Sequence, residues 1–141
     1  MSKKDIKQIL AEYKTVAVVG LSRENDKPSY EVAAYLKAHV YRIIPVNPFA
    51  DEILGEKSYK SLTDMPVAVQ ETIEIVDVFR PAKDVLPIVE QAVQLKTEHG
   101  KPFVVWMQLG IVNEEAAERA REAGLIVVMD KCMMVEHHRS F

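Results

Sequence analysis

Apolar positions change their period repeatedly along the chain. Ile6, Ile9, Leu10 and Tyr13 recur at helical spacing, and Thr15 to Val19 then form an unbroken run rich in β-branched residues that stops at Gly20. After a polar loop, Val32, Ala33 and Leu36 share one face of a helix predicted from Ser29 to Ala38. Tyr41 to Val46 reads as a second strand, halted by Asn47-Pro48, and Ile73 to Phe79 as a third. Pro81 suits the first turn of a helix, where no N–H is needed; that helix carries Val85, Ile88, Val89, Ala92 and Val93 and ends near Gly100. Phe103 to Trp106 is the fourth strand. Asn113 caps a further helix whose Glu114 and Glu115 favour the positive end of the dipole, Gly124 closes it, and Ile126 to Met129 is the fifth strand. At the N-terminus Ser2 is the candidate cap, with Asp5 three residues on as half of a capping box.

Continuous apolar strands between amphipathic helices predict an α/β fold with a parallel sheet covered on both faces. Right-handed crossovers make it a Rossmann-like, doubly wound, five-stranded sheet of order 3-2-1-4-5, formed by residues 1–141 as a single domain. Ligands of such sheets sit beyond the carboxyl ends of the strands, where the winding reverses. The loops LSRENDKPS, NPFADEILGEKSYKSL, RPAKD and MQLGIVNE should therefore surround one cleft.

Composition narrows the partners. The 141 residues are 48% hydrophobic and 28% charged, with a formal net charge of -3 and no basic run, which speaks against a nucleic-acid surface. The longest apolar runs, such as Phe103 to Met107, are too short to cross a bilayer, and MSKKDIKQILAEYK has no apolar signal core, so no membrane partner is expected. A single Cys132 cannot form an intrachain disulfide, in keeping with a reducing cytoplasm.

The loop after the first strand holds the main chemical signal. Gly20 permits a tight exit and close backbone approach, Ser22 offers a hydroxyl and an N–H, and the helix start at Pro28 and Ser29 presents unpaired N–H groups. Arg23 and Lys27 add positive charge, so a phosphate-bearing ligand is favoured over a merely solvated turn. The dinucleotide fingerprint is absent: Ser22 stands where a second glycine is wanted, and the second strand ends in Pro45-Val46-Asn47-Pro48 with no carboxylate for a ribose. Nor is there a G-x-x-x-x-G-K-[ST] loop. Of the remaining loops, Phe79 and Arg80 can flank a ligand, though on the residues alone Phe79 suits the core better and Arg80 could be a solvated neighbour of the cap. Gln108 and Gly110 can approach a ligand after the fourth strand, and Trp106 can simply pack. In the tail, one Cys and the adjacent His137 and His138 lack the spacing of a zinc site, and Cys132 reads as a buried, inert thiol.

Several of these segments together resemble one family. VAVVGLSRENDKPSYEVAAYL, YRIIPVNP, ILGEKSYKSL, IVDVFRPA, VVWMQLGIVNEEAAERAREAGL and VVMDKCMMVEH, in this order over residues 13 to 136, are similar to the small single-domain CoA-binding proteins and to the CoA-binding domain of the succinyl-CoA synthetase α subunit. The resemblance implies coenzyme A as the ligand, lying across the carboxyl edge of the sheet. It implies that Gly20, Leu21, Ser22 and Arg23 cradle the pyrophosphate, with Lys27, ahead of Pro28, reaching a phosphate. Val46, Asn47 and Pro48 then receive the adenosine end, Phe79, Arg80 and Pro81 line the path, and Trp106, Gln108 and Gly110 lie nearer the thiol. His39-Val40 departs from the family, which often places a glycine before the strand-two tyrosine, so the preceding helix is expected to end differently. The phosphorylated-histidine domain and nucleotide-grasp partner of the ligases have no counterpart in these segments.

These readings converge on a cytoplasmic, non-catalytic module for CoA or acyl-CoA, with room for a weak homodimer or a partner subunit. The alternatives are an NAD(P)-binding oxidoreductase fragment, or the CoA-binding half of a two-component acyl-CoA ligase.

Overall fold

The computed structural model describes residues 4–141. Asp5 caps the first helix α1 (Ile6–Glu12): its Oδ1 accepts the Gln8 N–H at 2.8 Å while the Gln8 side chain accepts the Asp5 N–H at 2.8 Å. This reciprocal capping box satisfies two donors that the first turn leaves open. The Ser2 cap anticipated from sequence lies outside the described residues.

Strands β1 (Thr15–Val19), β2 (Arg42–Val46), β5 (Ile75–Val78), β6 (Val104–Met107) and β7 (Ile126–Val128) form one parallel sheet in the spatial order β2-β1-β5-β6-β7. Beyond β2, Tyr59 makes a parallel bridge with Val46, so a rudimentary third position lies outside the second strand. The five strands have the doubly wound, Rossmann-like arrangement expected from sequence, with Ile75–Val78 directly beside β1 on the side away from β2 and the Tyr59 bridge in the position outside β2. The winding reverses between β1 and β5.

The strands are near-continuously apolar because helices cover both faces. On one side α4 (Val85–His99) and α5 (Glu114–Glu122) bury Val85, Val89, Ala92, Ala116, Ala117 and Ala120 against Ala17, Val19, Ile44, Val76, Val78, Val105 and Met107. On the other, α1, α2 (Pro28–Ala38) and α6 (Met133–Ser140) bury Ile9, Leu10, Val32, Leu36 and Met133 against Val16, Val18, Ile43, Ile75 and Trp106. Among the described residues no helix is long and apolar enough to cross a membrane.

Four local features differ from the sequence reading. A hairpin of β3 (Glu52–Ile53) with β4 (Glu56–Lys57) and a single turn of helix, α3 (Val67–Gln70), occupy the stretch between β2 and β5. Pro81 caps a 3₁₀ turn, Ala82–Asp84, and α4 starts only at Val85. The tail forms α6, with half-buried Cys132 as its N-cap rather than a buried thiol. Finally, α2 does stop in the left-handed conformation despite lacking the glycine: Val40 itself adopts φ 67°, and the Tyr41 N–H returns to the Leu36 carbonyl at 3.1 Å.

Candidate functional site

A cleft of about 670 Å³ opens at the carboxyl edge of the sheet, on the side that carries α4. Its floor is the end of β1 and β2, Val19-Gly20 and Val46-Asn47. One wall is the segment Pro48-Phe49 with Lys60-Ser61; the opposite wall is Arg80, Asp84 and the first turns of α4 at Pro87, Ile88 and Gln91.

The floor is made by cross-bonding two loops. The Gly20 N–H donates to the Val46 carbonyl at 3.0 Å, and the Asn47 amide nitrogen donates to the Leu21 carbonyl at 2.9 Å. Asn47 Oδ1 in turn accepts the Phe49 N–H at 2.8 Å, and the Asn47 N–H donates to the Tyr59 carbonyl at 2.9 Å. One asparagine thus fixes the strand-one loop, the strand-two loop and the return segment relative to each other. Gly20 sits at φ 89°, and a Cβ there would lie 3.0 Å from Arg80 Cδ and 3.2 Å from the Phe79 carbonyl carbon and oxygen. The glycine therefore serves both conformation and close approach.

The fifteen residues singled out in the sequence do not all meet here. Gly20, Ser22, Val46, Asn47, Pro48 and Arg80 line the cleft. Leu21 points into the core beneath α2, and only its carbonyl takes part, by accepting Asn47. Arg23 and Lys27 are exposed outside the lining: Arg23 donates to the Phe49 carbonyl at 3.3 Å, and Lys27 lies 3.8 Å from Glu24. Pro28 opens α2 and Pro81 caps the 3₁₀ turn, both at the surface. Phe79 is half-buried against the α2 side of the sheet. Trp106 is fully buried, its indole N–H donating to the Lys131 carbonyl at 2.8 Å. Gly110 is exposed and donates its N–H to Asp130 Oδ1 at 2.7 Å.

Ser22 differs from its expected role in one respect. Its N–H is taken up by Ser29 Oγ at 2.9 Å, and its Oγ accepts the Glu24 N–H at 3.0 Å, which leaves the hydroxyl proton as the donor it can direct at an anion. Gln108 is likewise committed: it is buried and donates to Asp77 Oδ1 at 2.7 Å. Asp77 is wholly buried on β5 and its Oδ2 has no hydrogen-bond partner among the described residues; burial pushes its carboxyl up to about 7 against the lowering effect of the Gln108 bond.

The cleft's charge is simple. Arg80 pairs with Asp84 at 3.1 Å, and Lys60 makes no ion pair among the described residues. No group of three or more His, Cys, Asp or Glu side chains able to hold a metal exists among the described residues. Val19, Val46, Pro48, Phe49, Pro87 and Ile88 line the cleft beside the cations Arg80 and Lys60, so it suits a flat or aliphatic body that carries phosphate groups.

Comparison with known proteins decides the family. Residues 14–138 match the CoA binding domain family. The chain belongs to the CoA-binding domain family. Within it, the chain is 40% identical to the uncharacterized protein YneT of Bacillus subtilis over 136 residues, which is 96% of this chain and 94% of YneT. The solved structure of a Thermus thermophilus protein superposes with a TM-score of 0.87 at 36% identity, covering 100% of each chain. Over a shorter stretch of 83 residues the chain is 40% identical to the ADP-forming acetate–CoA ligase II of Archaeoglobus fulgidus, 57% of this chain but only 12% of that enzyme.

Phe49, Lys60, Ser61, Asp84, Pro87, Ile88 and Gln91 line the cleft without having been singled out in the sequence. Lys60 and Ser61 fall inside the loop expected at the cleft, and the Tyr59 bridge to β2 is what brings these two residues of it to the wall. Pro87 and Ile88 reach the cleft because the 3₁₀ turn delays the start of α4 by one turn.

Proposed function

We propose that the protein binds coenzyme A or an acyl-CoA in this cleft as a module without chemistry of its own. The observation that carries the reading is the coincidence of the family match with a cleft of suitable size at the switch point, where Gly20, Ser22, Asn47 and Arg80 converge. In this reading the pyrophosphate lies over Gly20, within reach of the Ser22 hydroxyl and the Arg80 guanidinium, with Arg23 and Lys27 adding long-range attraction from the loop. The adenosine end rests on Val46, Asn47 and Pro48. Phe79 and Pro81 shape the path through their backbone, and pantetheine runs towards the turn that holds Gln108 and Gly110, with Trp106 as its packed base.

A second reading is the CoA-binding half of a two-component acyl-CoA ligase. The similarity to part of the Archaeoglobus fulgidus ligase favours it. An NAD(P) site is disfavoured because no carboxylate ends β2 to hold a ribose diol.

Calorimetric titration with CoA and NAD in parallel, on protein stripped of any carried-over ligand, tests the proposal. Binding of CoA without NAD supports it, and binding of NAD without CoA overturns it. Acyl-CoA formation from CoA, ATP and a carboxylic acid upon adding a co-purifying chain would replace the module reading with the ligase half.

A further inference from the structure

We infer that Phe49 and Lys60 form a subsite for the 3′-phosphoadenosine end of the ligand, with Phe49 stacking on the base and Lys60 reading the 3′-phosphate. This rests on the CoA reading above and deepens it. Phe49 is 83% exposed at the lip of a cleft, although a free-standing Phe gains nothing from solvent. Its backbone is nevertheless held at both ends: the N–H by Asn47 Oδ1 at 2.8 Å, the carbonyl by the Arg23 guanidinium at 3.3 Å. An aromatic residue anchored through its backbone, with its ring left uncovered at the cleft, is the form of a stacking platform.

Lys60 stands on the same wall. Tyr59 is tied to the end of β2 by its bridge to Val46 and by the Asn47 N–H, so the next residue is delivered beside Pro48 and Phe49. The other cation lining the cleft, Arg80, lies on the opposite wall and already faces Asp84 at 3.1 Å. Of the two cations lining the cleft, Lys60 is therefore the one without an ion pair among the described residues, and it stands beside Pro48 and Phe49 rather than over Gly20. A phosphate monoester carries up to two negative charges at neutral pH, and a lysine ammonium binds it as a point charge without needing fixed geometry.

The test compares CoA with dephospho-CoA by calorimetry for the wild type, Lys60→Ala and Phe49→Ala. Both residues are exposed, and unchanged thermal melting of the unliganded variants confirms that each is folded. The wild type should prefer CoA by about tenfold or more, the worth of one charge-assisted contact. Lys60→Ala should bind CoA no better than dephospho-CoA while leaving dephospho-CoA affinity unchanged. Phe49→Ala should weaken both ligands alike, by about fivefold or more, and preserve their ratio. Equal wild-type affinity for the two ligands overturns the subsite and leaves the CoA reading standing. So does a Lys60→Ala variant that keeps the preference, or a Phe49→Ala variant that binds as the wild type does. A wild type that binds neither ligand removes the CoA reading itself, and the subsite with it.

Discussion

At the scale of single residues, Gly20 joins fold and site most tightly. Its φ of 89° is strained for any L side chain, and the nearest obstacles to a Cβ include the Phe79 backbone, which is held to the end of β1 by the Phe79 N–H donating to the Val19 carbonyl at 2.9 Å. Gly20→Ala should therefore lower stability by about 1–3 kcal/mol and push the Arg80 stem out of the cleft, so that ligand affinity falls as well. Adding Arg80→Ala removes the 3.0 Å contact but neither the φ strain nor the Phe79 contact, so the double variant should recover little stability. Urea unfolding midpoints of the two variants measure this, and a Gly20→Ala midpoint equal to that of the wild type would contradict it. Gly20 was legible in the sequence because one glycine ended an apolar run. The commitments of Ser22 and Gln108 were not, since their partners, Ser29 and Asp77, lie seven and 31 residues away and only the fold brings them within bonding distance.

Among elements, the end of α2 shows a conflict between local preference and tertiary demand. Tyr41 must enter the core and β2 must pair with β1, so the chain has to reverse within two residues of the helix. The left-handed conformation accomplishes that reversal whichever residue occupies it, and here Val40 takes it at φ 67° with 81% of its surface exposed. A β-branched residue in that region costs about 1–2 kcal/mol, while glycine adds entropy to the unfolded chain. Val40→Gly should then stabilise the protein by roughly 0.5–1 kcal/mol, a rise in melting temperature of about 1–4 °C readable by calorimetry, with no change in ligand binding. A lower melting temperature would mean that Val40 makes an interaction that its exposure does not reveal. The same reasoning explains what the periodicity could and could not foretell. Long strands and helices with a continuous apolar face, β1, β2, α2, α4 and α5, were legible to within a few residues. The β3–β4 hairpin, the single-turn α3 and the Tyr59 bridge are too short to carry a period; Ile53 of the hairpin packs on the α2 side of the sheet, while Tyr59 and Val69 pack on the α4 side. The sequence placed that loop at the cleft, but which of its residues form the wall, Phe49, Lys60 and Ser61, depends on the fold-back that the Tyr59 bridge makes.

For the molecule as a whole, two buried ionisable groups on the α2 side of the sheet pull stability in opposite directions as pH changes. Asp77 loses its proton near 3.8 in the unfolded chain but holds it to about 7 when folded, because burial outweighs the Gln108 bond. The folded state thus binds more protons than the unfolded one across this window, and stability declines as pH rises through it. His137 behaves in reverse. Burial lowers its affinity for a proton below the ordinary 6.5, and His39, Lys14 and His138 add repulsion, while Tyr35 bonds its Nδ1 at 2.9 Å. Here the unfolded chain binds the extra proton, so stability is lost as pH falls below 6.5 and α6 must carry an unfavourable charge against α2. Where both groups titrate the two slopes are opposite in sign, and single substitutions separate them. Asp77→Asn keeps a carbonyl for Gln108 and should abolish the decline, so its unfolding midpoint gains on that of the wild type as pH rises from 4.5 to 8. His137→Gln should abolish the loss on the acid side, gaining on the wild type as pH falls from 7 to 5.5. Urea midpoints taken across that range settle both. An Asp77→Asn curve parallel to the wild type would mean that the carboxyl ionises as an ordinary aspartate, which a fully buried oxygen without a partner should not allow.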